Sequence, residues 1–62
     1  MSSDEPRVWA LYAALSQRMN RIDEAEKAFS QALYLRERQR DEARAAVLRR
    51  LLADLRRNSR AA

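Results

Sequence analysis

Asp23, Glu24 and Glu26 form a tight acidic group. Carboxylates gathered this closely can serve general acid–base catalysis or hard-cation binding. Here they stand where a helix would begin, and negative charge there complements the positive end of the helix dipole. No calcium-loop spacing accompanies them. Histidine and cysteine are both absent. That removes the commonest acid–base side chain, thiol nucleophiles, disulfides and ordinary zinc sites. Ser16 and Ser30 have no plausible base in the sequence, and a chain without glycine has no phosphate-binding loop. We therefore expect a non-enzymatic protein with no cofactor, metal or small-molecule substrate.

Arginine is the second residue type that could bind something. The chain carries 13 basic residues, only Lys27 being lysine, and a formal charge of +4. Arg36, Arg38 and Arg40 alternate along one polar stretch, and Arg49, Arg50, Arg56, Arg57 and Arg60 follow. Clustered arginines can hold phosphates and release counterions, so a basic nucleic-acid-binding helix is one expectation. Glu37, Asp41, Glu42 and Asp54 are interleaved with them, which suits solvated i,i+4 pairing instead. Arg44, four residues after Arg40, forms a like-charge pair that favours an acidic protein partner. Trp9, Tyr12, Phe29 and Tyr34 sit at helical spacing and read as core more readily than as a stacking platform. Tyr34 is the one expected at the surface.

The elements that position these residues are helices. Glycine is absent and proline occurs once, at Pro6, so the main helix breakers are missing. Pro6 suits a first helical turn. From Pro6 to about Met19, Val8, Leu11, Tyr12, Leu15 and Met19 fall on one stripe by the i, i+3, i+4, i+7 rule. That stripe is expected to be the core face, with Leu11, Leu15 and Met19 packing against Phe29 and Leu33. Trp9, Ala10, Ala13 and Ala14 form a second, flatter face that another helix could approach. Asn20 and Arg21 make a turn, Asn being the next choice after glycine for a left-handed helix end. A turn this short implies an antiparallel hairpin. In the second helix Ile22, Ala25, Ala28, Phe29, Ala32, Leu33 and Leu35 supply the buried side.

Residues 36 to 42 contain nothing apolar. Beyond them Val47, Leu48, Leu51, Leu52 and Leu55 form a third stripe, about a quarter turn from that of the second helix at 100° per residue. Either the chain breaks between Arg38 and Asp41, with Asp41 as N-cap, or one helix runs on to about Arg57. A break is the favoured reading, with Asn58 and Ser59 ending the last helix. The organisation is thus a tail at 1–5, a helical hairpin at 6–37, an amphipathic helix at 38–58 and a tail at 59–62.

A chain of 62 residues is one small domain, burying roughly 60% of its unfolded surface. Folds this small commonly rely on disulfides, metals or oligomerisation, and the first two are unavailable. No apolar run approaches the ~20 residues of a membrane span. The polar, acidic N-terminus is unlike a secretory signal. A cytoplasmic protein is expected, assembled with another protein or with itself.

The hairpin resembles a tetratricopeptide (TPR) repeat. Trp9, Ala13, Ala25, Phe29, Ala32 and Leu33 match that family's Trp, small-residue and Ala-Leu positions. Asn20-Arg21-Ile22-Asp23-Glu24-Ala25 looks like its turn, where Gly-Asp-Tyr-Asp-Glu-Ala is typical. Tyr12, Ser16, Asn20 and Glu37 depart from the usual Leu, Tyr, Gly and Pro. Residues 43 to 55 do not repeat the pattern and look like the helix that caps a TPR array. The resemblance implies an all-α, TPR-like antiparallel hairpin followed by a third amphipathic helix. It also implies a protein-binding adaptor, assembly factor or chaperone. By family position Arg7, Ala10, Ala14, Gln17 and Arg18 would line a groove, and with Ala10 and Ala14 at two of those places the carboxylate clamp of some TPR domains is not supported. Candidate partner-binding residues are Arg7, Trp9, Gln17, Arg18, Tyr34, Arg44, Leu48, Leu51, Leu52 and Leu55.

Overall fold

Pro6 occupies the first position of α1 (Pro6–Arg18), with Glu5 extended before it at φ −93° and ψ 105°. Its missing N–H costs nothing there, because the first N–H groups of a helix have no internal partner. α2 follows as Ile22–Arg38 and α3 as Glu42–Ala61. The computed structural model describes residues 4–61, with side chains described through Asn58. Within that span the chain is all-α, with no strand.

Both connections are three-residue turns of one design. After α1, Asn20 takes φ 61°. Its N–H donates to the Gln17 carbonyl (3.0 Å) and that of Arg21 to the Ser16 carbonyl (2.8 Å). After α2, Arg40 takes φ 58°. Its N–H donates to the Glu37 carbonyl and that of Asp41 to the Arg36 carbonyl, each at 3.0 Å. These paired bonds define a Schellman stop, which satisfies the last helical carbonyls and reverses the chain. The chain therefore breaks between Arg38 and Glu42, as the polar stretch there suggests. Asp41 caps α3: its Oδ1 accepts the Arg44 N–H at 3.2 Å and its carbonyl accepts the Ala45 N–H at 2.9 Å.

The helices alternate in direction. Arg56 near the end of α3 donates from Nε to Glu26 Oε2 near the start of α2 at 2.8 Å, across thirty residues. α2 is central. It packs against both neighbours, while no Cα of α1 lies within 8 Å of one in α3. The backbone forms a slab of 34 × 25 × 12 Å. Its core is Phe29 with Leu48, Leu52 and Leu55 of α3 and the alanines Ala13, Ala25, Ala28 and Ala32, with Trp9, Ile22 and Leu33 packed around them. Ala13, Ala25, Ala32 and Ala45 are fully buried. Alanine at a helix contact lets the backbones approach at the close end of the usual 8–10 Å range.

α1 faces the other way from the sequence expectation. Val8, Tyr12 and Leu15 are 48% exposed, and Leu11 and Met19 63%. The buried face of α1 is instead Pro6, Ala13 and Ser16, with Trp9 and Ala10 half-buried beside them. The cause lies in α2, which offers a shallow surface of Ala25, Ala28 and Ala32 around Phe29. Small residues and one Trp close-pack on such a surface, whereas five large side chains would hold the helices apart. No buried side-chain polar atom among the described residues lacks a partner, so Ser16 is buried without leaving an orphaned hydroxyl.

Two further differences concern the last helix. α3 continues to Ala61, past Asn58 and Ser59, where the sequence reading ends it. Leu48, Leu52 and Leu55 are spent within the chain against α2 and do not form an outward seam. Residues 1–3 and 62, parts of the expected tails, lie outside the described residues.

Candidate interaction surface

The outward stripe of α1 carries five of the eight large apolar side chains exposed among the described residues. Val8, Tyr12, Leu15 and Met19 follow one another at spacings of four, three and four, with Leu11 alongside. That spacing keeps them in line on a helix. Tyr12 is held by its neighbour helix: its hydroxyl donates to Glu24 Oε2 at 3.0 Å. Arg21 lies 3.9 Å from the same carboxylate. Glu24 thus marks one edge of the stripe at its C-terminal end. Arg7 and Arg18, both exposed, lie on the other edge by helical position.

A second, smaller apolar site lies between α1 and α3. Pro6 and Ala10 on one side, and Val47, Leu48 and Leu51 on the other, line a groove of about 240 Å³ with Arg36 and Arg44 at its rim. Val47 and Leu51 remain substantially exposed. The groove is shallow because α1 and α3 both rest on α2 without touching through their backbones.

The arginines are largely engaged within the chain. Arg36 and Arg44 converge on Asp41 at 3.6 and 3.0 Å. Arg49 binds Glu37 at 2.9 Å, Arg56 binds Glu26, and Arg57 pairs with Asp54. Hydrogen bonding from Arg44 holds the Asp41 carboxyl below the ordinary aspartate range, with the charges of Arg44 and Arg36 adding to it. The Glu37 carboxylate raises Arg49 in turn. The Arg38 guanidinium stacks 5.7 Å from the Tyr34 ring centroid, so the two exposed side chains support each other.

The residues singled out from sequence are therefore dispersed. Arg7, Gln17, Arg18, Tyr34 and Arg44 are exposed, and Leu51 opens onto the groove. Trp9 is half-buried on the core, and Leu48, Leu52 and Leu55 are interior. Sequence reasoning missed Val8, Leu11, Leu15 and Met19 as surface residues by assigning them to the core. The signal that could have found them was the competing face of Trp9, Ala10 and Ala13. Among the described residues no group of three or more Asp or Glu side chains is placed to hold a metal ion. No described helix is long and apolar enough to cross a membrane. No family model, curated protein or solved structure matches the chain.

Proposed function

We propose that this chain is a non-enzymatic, TPR-like interaction module of the cytoplasm, an adaptor, assembly factor or chaperone. It docks other protein through the outward stripe of α1. The observation that carries this reading is the exposure of Val8, Leu11, Tyr12, Leu15 and Met19 on a single face. The largest apolar patch of a monomeric protein, typically about 300–600 Å², is often a functional one. Helix-in-groove recognition uses anchors at just this i, i+3, i+4, i+7 spacing. Successive hairpins closed by matching turns also suit a helical scaffold whose end face is open.

The alternative, a basic nucleic-acid-binding helix, draws less support. Arg49, Arg56 and Arg57 of α3 each pair with a carboxylate of the same chain, which lowers their availability to phosphate. Site-specific photocross-linking in cells tests the two readings. A photoreactive residue in place of Leu11 is expected to give discrete protein adducts, while one in place of Arg50 gives none above background. Adducts to nucleic acid at position 50, with none to protein at position 11, would contradict the proposal.

A further inference from the structure

We infer that the outward stripe of α1 pairs with the same stripe of a second copy, the two α1 helices running parallel about a two-fold axis along their length. The inference rests on the interaction reading above and names the partner.

Three observations point to a second copy. The first is symmetry. Among the described residues the stripe of α1 is the larger open apolar face, with five exposed side chains, whereas Leu48, Leu52 and Leu55 of α3 are buried on α2 and only Val47 and Leu51 of its stripe stay exposed. Beside Val47 and Leu51, the outer side of α3 carries small and charged residues such as Ala46 and Arg50, which offer too little apolar area to cover the α1 stripe. Head-to-tail stacking needs two different complementary faces, whereas a closed two-fold pair needs one face that fits itself. The second is area. At their exposures of 48–63% the five residues present on the order of 500 Å², so a pair that covered the whole stripe would bury at most about 1,000 Å², the threshold for a specific interface. The third is spacing. Val8, Tyr12, Leu15 and Met19 fall at alternating d and a positions of a short heptad seam.

Charge chooses the direction. Arg18 stands on one edge of the stripe and makes no ion pair among the described residues. Glu24 stands on the opposite edge near the same end, anchored by Tyr12, with its side chain 47% exposed. In a parallel pair opposite edges meet, bringing Arg18 of each copy towards Glu24 of the other. In an antiparallel pair like edges meet, setting the Arg7 and Arg18 edges of both copies against each other. Like charges so placed oppose pairing, and opposite charges specify it.

The test is sedimentation equilibrium of the full chain from micromolar to near-millimolar concentration, with circular dichroism on each sample. A reversible monomer–dimer equilibrium is expected. Leu15→Asp should weaken it by at least about tenfold with helicity unchanged, because pairing would bury an unpaired carboxylate in an apolar seam. Arg18→Glu should weaken it, and adding Glu24→Arg to Arg18→Glu should restore it. The chain has no cysteine, so oxidation reports the direction. Val8→Cys and Leu15→Cys should each cross-link to themselves, and a mixture of Val8→Cys with Met19→Cys should link like with like. A chain monomeric throughout the range would overturn self-pairing; if position 11 still cross-linked to other proteins, the proposed function would stand without it. A dimer undiminished by Leu15→Asp, or one linked between positions 8 and 19, would overturn the arrangement.

Discussion

Asn20 and Arg40, twenty positions apart, hold the same left-handed backbone conformation, at φ 61° and 58°. Each ends a helix with the same pair of reversed hydrogen bonds. Asn tolerates this region, but Arg pays a steric cost of about 1–2 kcal/mol relative to glycine. Arg40→Gly is therefore expected to stabilise the fold by about 0.5–1 kcal/mol, after the extra entropy glycine gains in the unfolded chain. Arg38→Gly, two residues earlier and still helical, should destabilise it by about 1 kcal/mol. Urea melts of the two variants check the contrast.

Asp41 joins α2 to α3 by capping one helix while pairing with Arg36 at the end of the other. Its carboxyl titrates below the ordinary aspartate range in the folded chain. The stability it contributes is thus fully present above the unfolded aspartate value, and is lost as pH falls through the lower folded value. Thermal melts of the wild type should weaken through that acidic window. In Asp41→Asn the same window should be flatter, since no proton is gained there. Asp41→Ala, with neither cap nor charge, should melt several degrees lower at neutral pH.

The core predicts opposite errors at neighbouring positions. Phe29→Ala removes the largest α2 side chain of the core cluster, costing about 3–5 kcal/mol. A domain of this size rarely has more than that to lose, so the variant should be unfolded by circular dichroism. Ala25→Leu inserts volume where the residue is fully buried and should cost about 1–3 kcal/mol. Ala14→Leu, on an exposed position of α1, should change stability by less than about 0.5 kcal/mol.

Glu26 and Arg56 tie the far ends of α2 and α3 together at 2.8 Å. Both side chains are about half exposed, so solvent screens the pair. A double-mutant cycle with Glu26→Ala and Arg56→Ala should give a coupling of roughly 0.2–1 kcal/mol, decreasing with added salt.

The helices were legible because their boundaries are chemical. Pro6 opens α1, Asn20 permits a left-handed stop, and Asp41 is a cap preceded by a stretch with nothing apolar. The break after Arg38 could be favoured on those grounds, although Arg40 itself gives no hint that it takes the left-handed role. The end of α3 was not legible, because Asn58 and Ser59 can stop a helix without being obliged to. The orientation of α1 was misread for a different reason. Counting large residues selects Leu11, Leu15 and Met19, but helix packing selects the face that fits its neighbour, and α2 presents alanines. The surface that matters most was therefore visible in the sequence as a stripe and assigned to the wrong side. The Arg-rich half looked like a ligand site until its carboxylate partners were placed beside it.

The most direct test of the account is a comparison of Leu15→Asp with Ala13→Asp, two positions apart on α1, by thermal melts in dilute solution. Leu15 lies on the outward stripe and Ala13 is fully enclosed against α2. We expect Leu15→Asp to melt within a few degrees of the wild type and Ala13→Asp, with a carboxylate forced into the core, to lose its cooperative transition. Unfolding by Leu15→Asp with Ala13→Asp tolerated would mean that the stripe is the core, and the docking face proposed here would not exist.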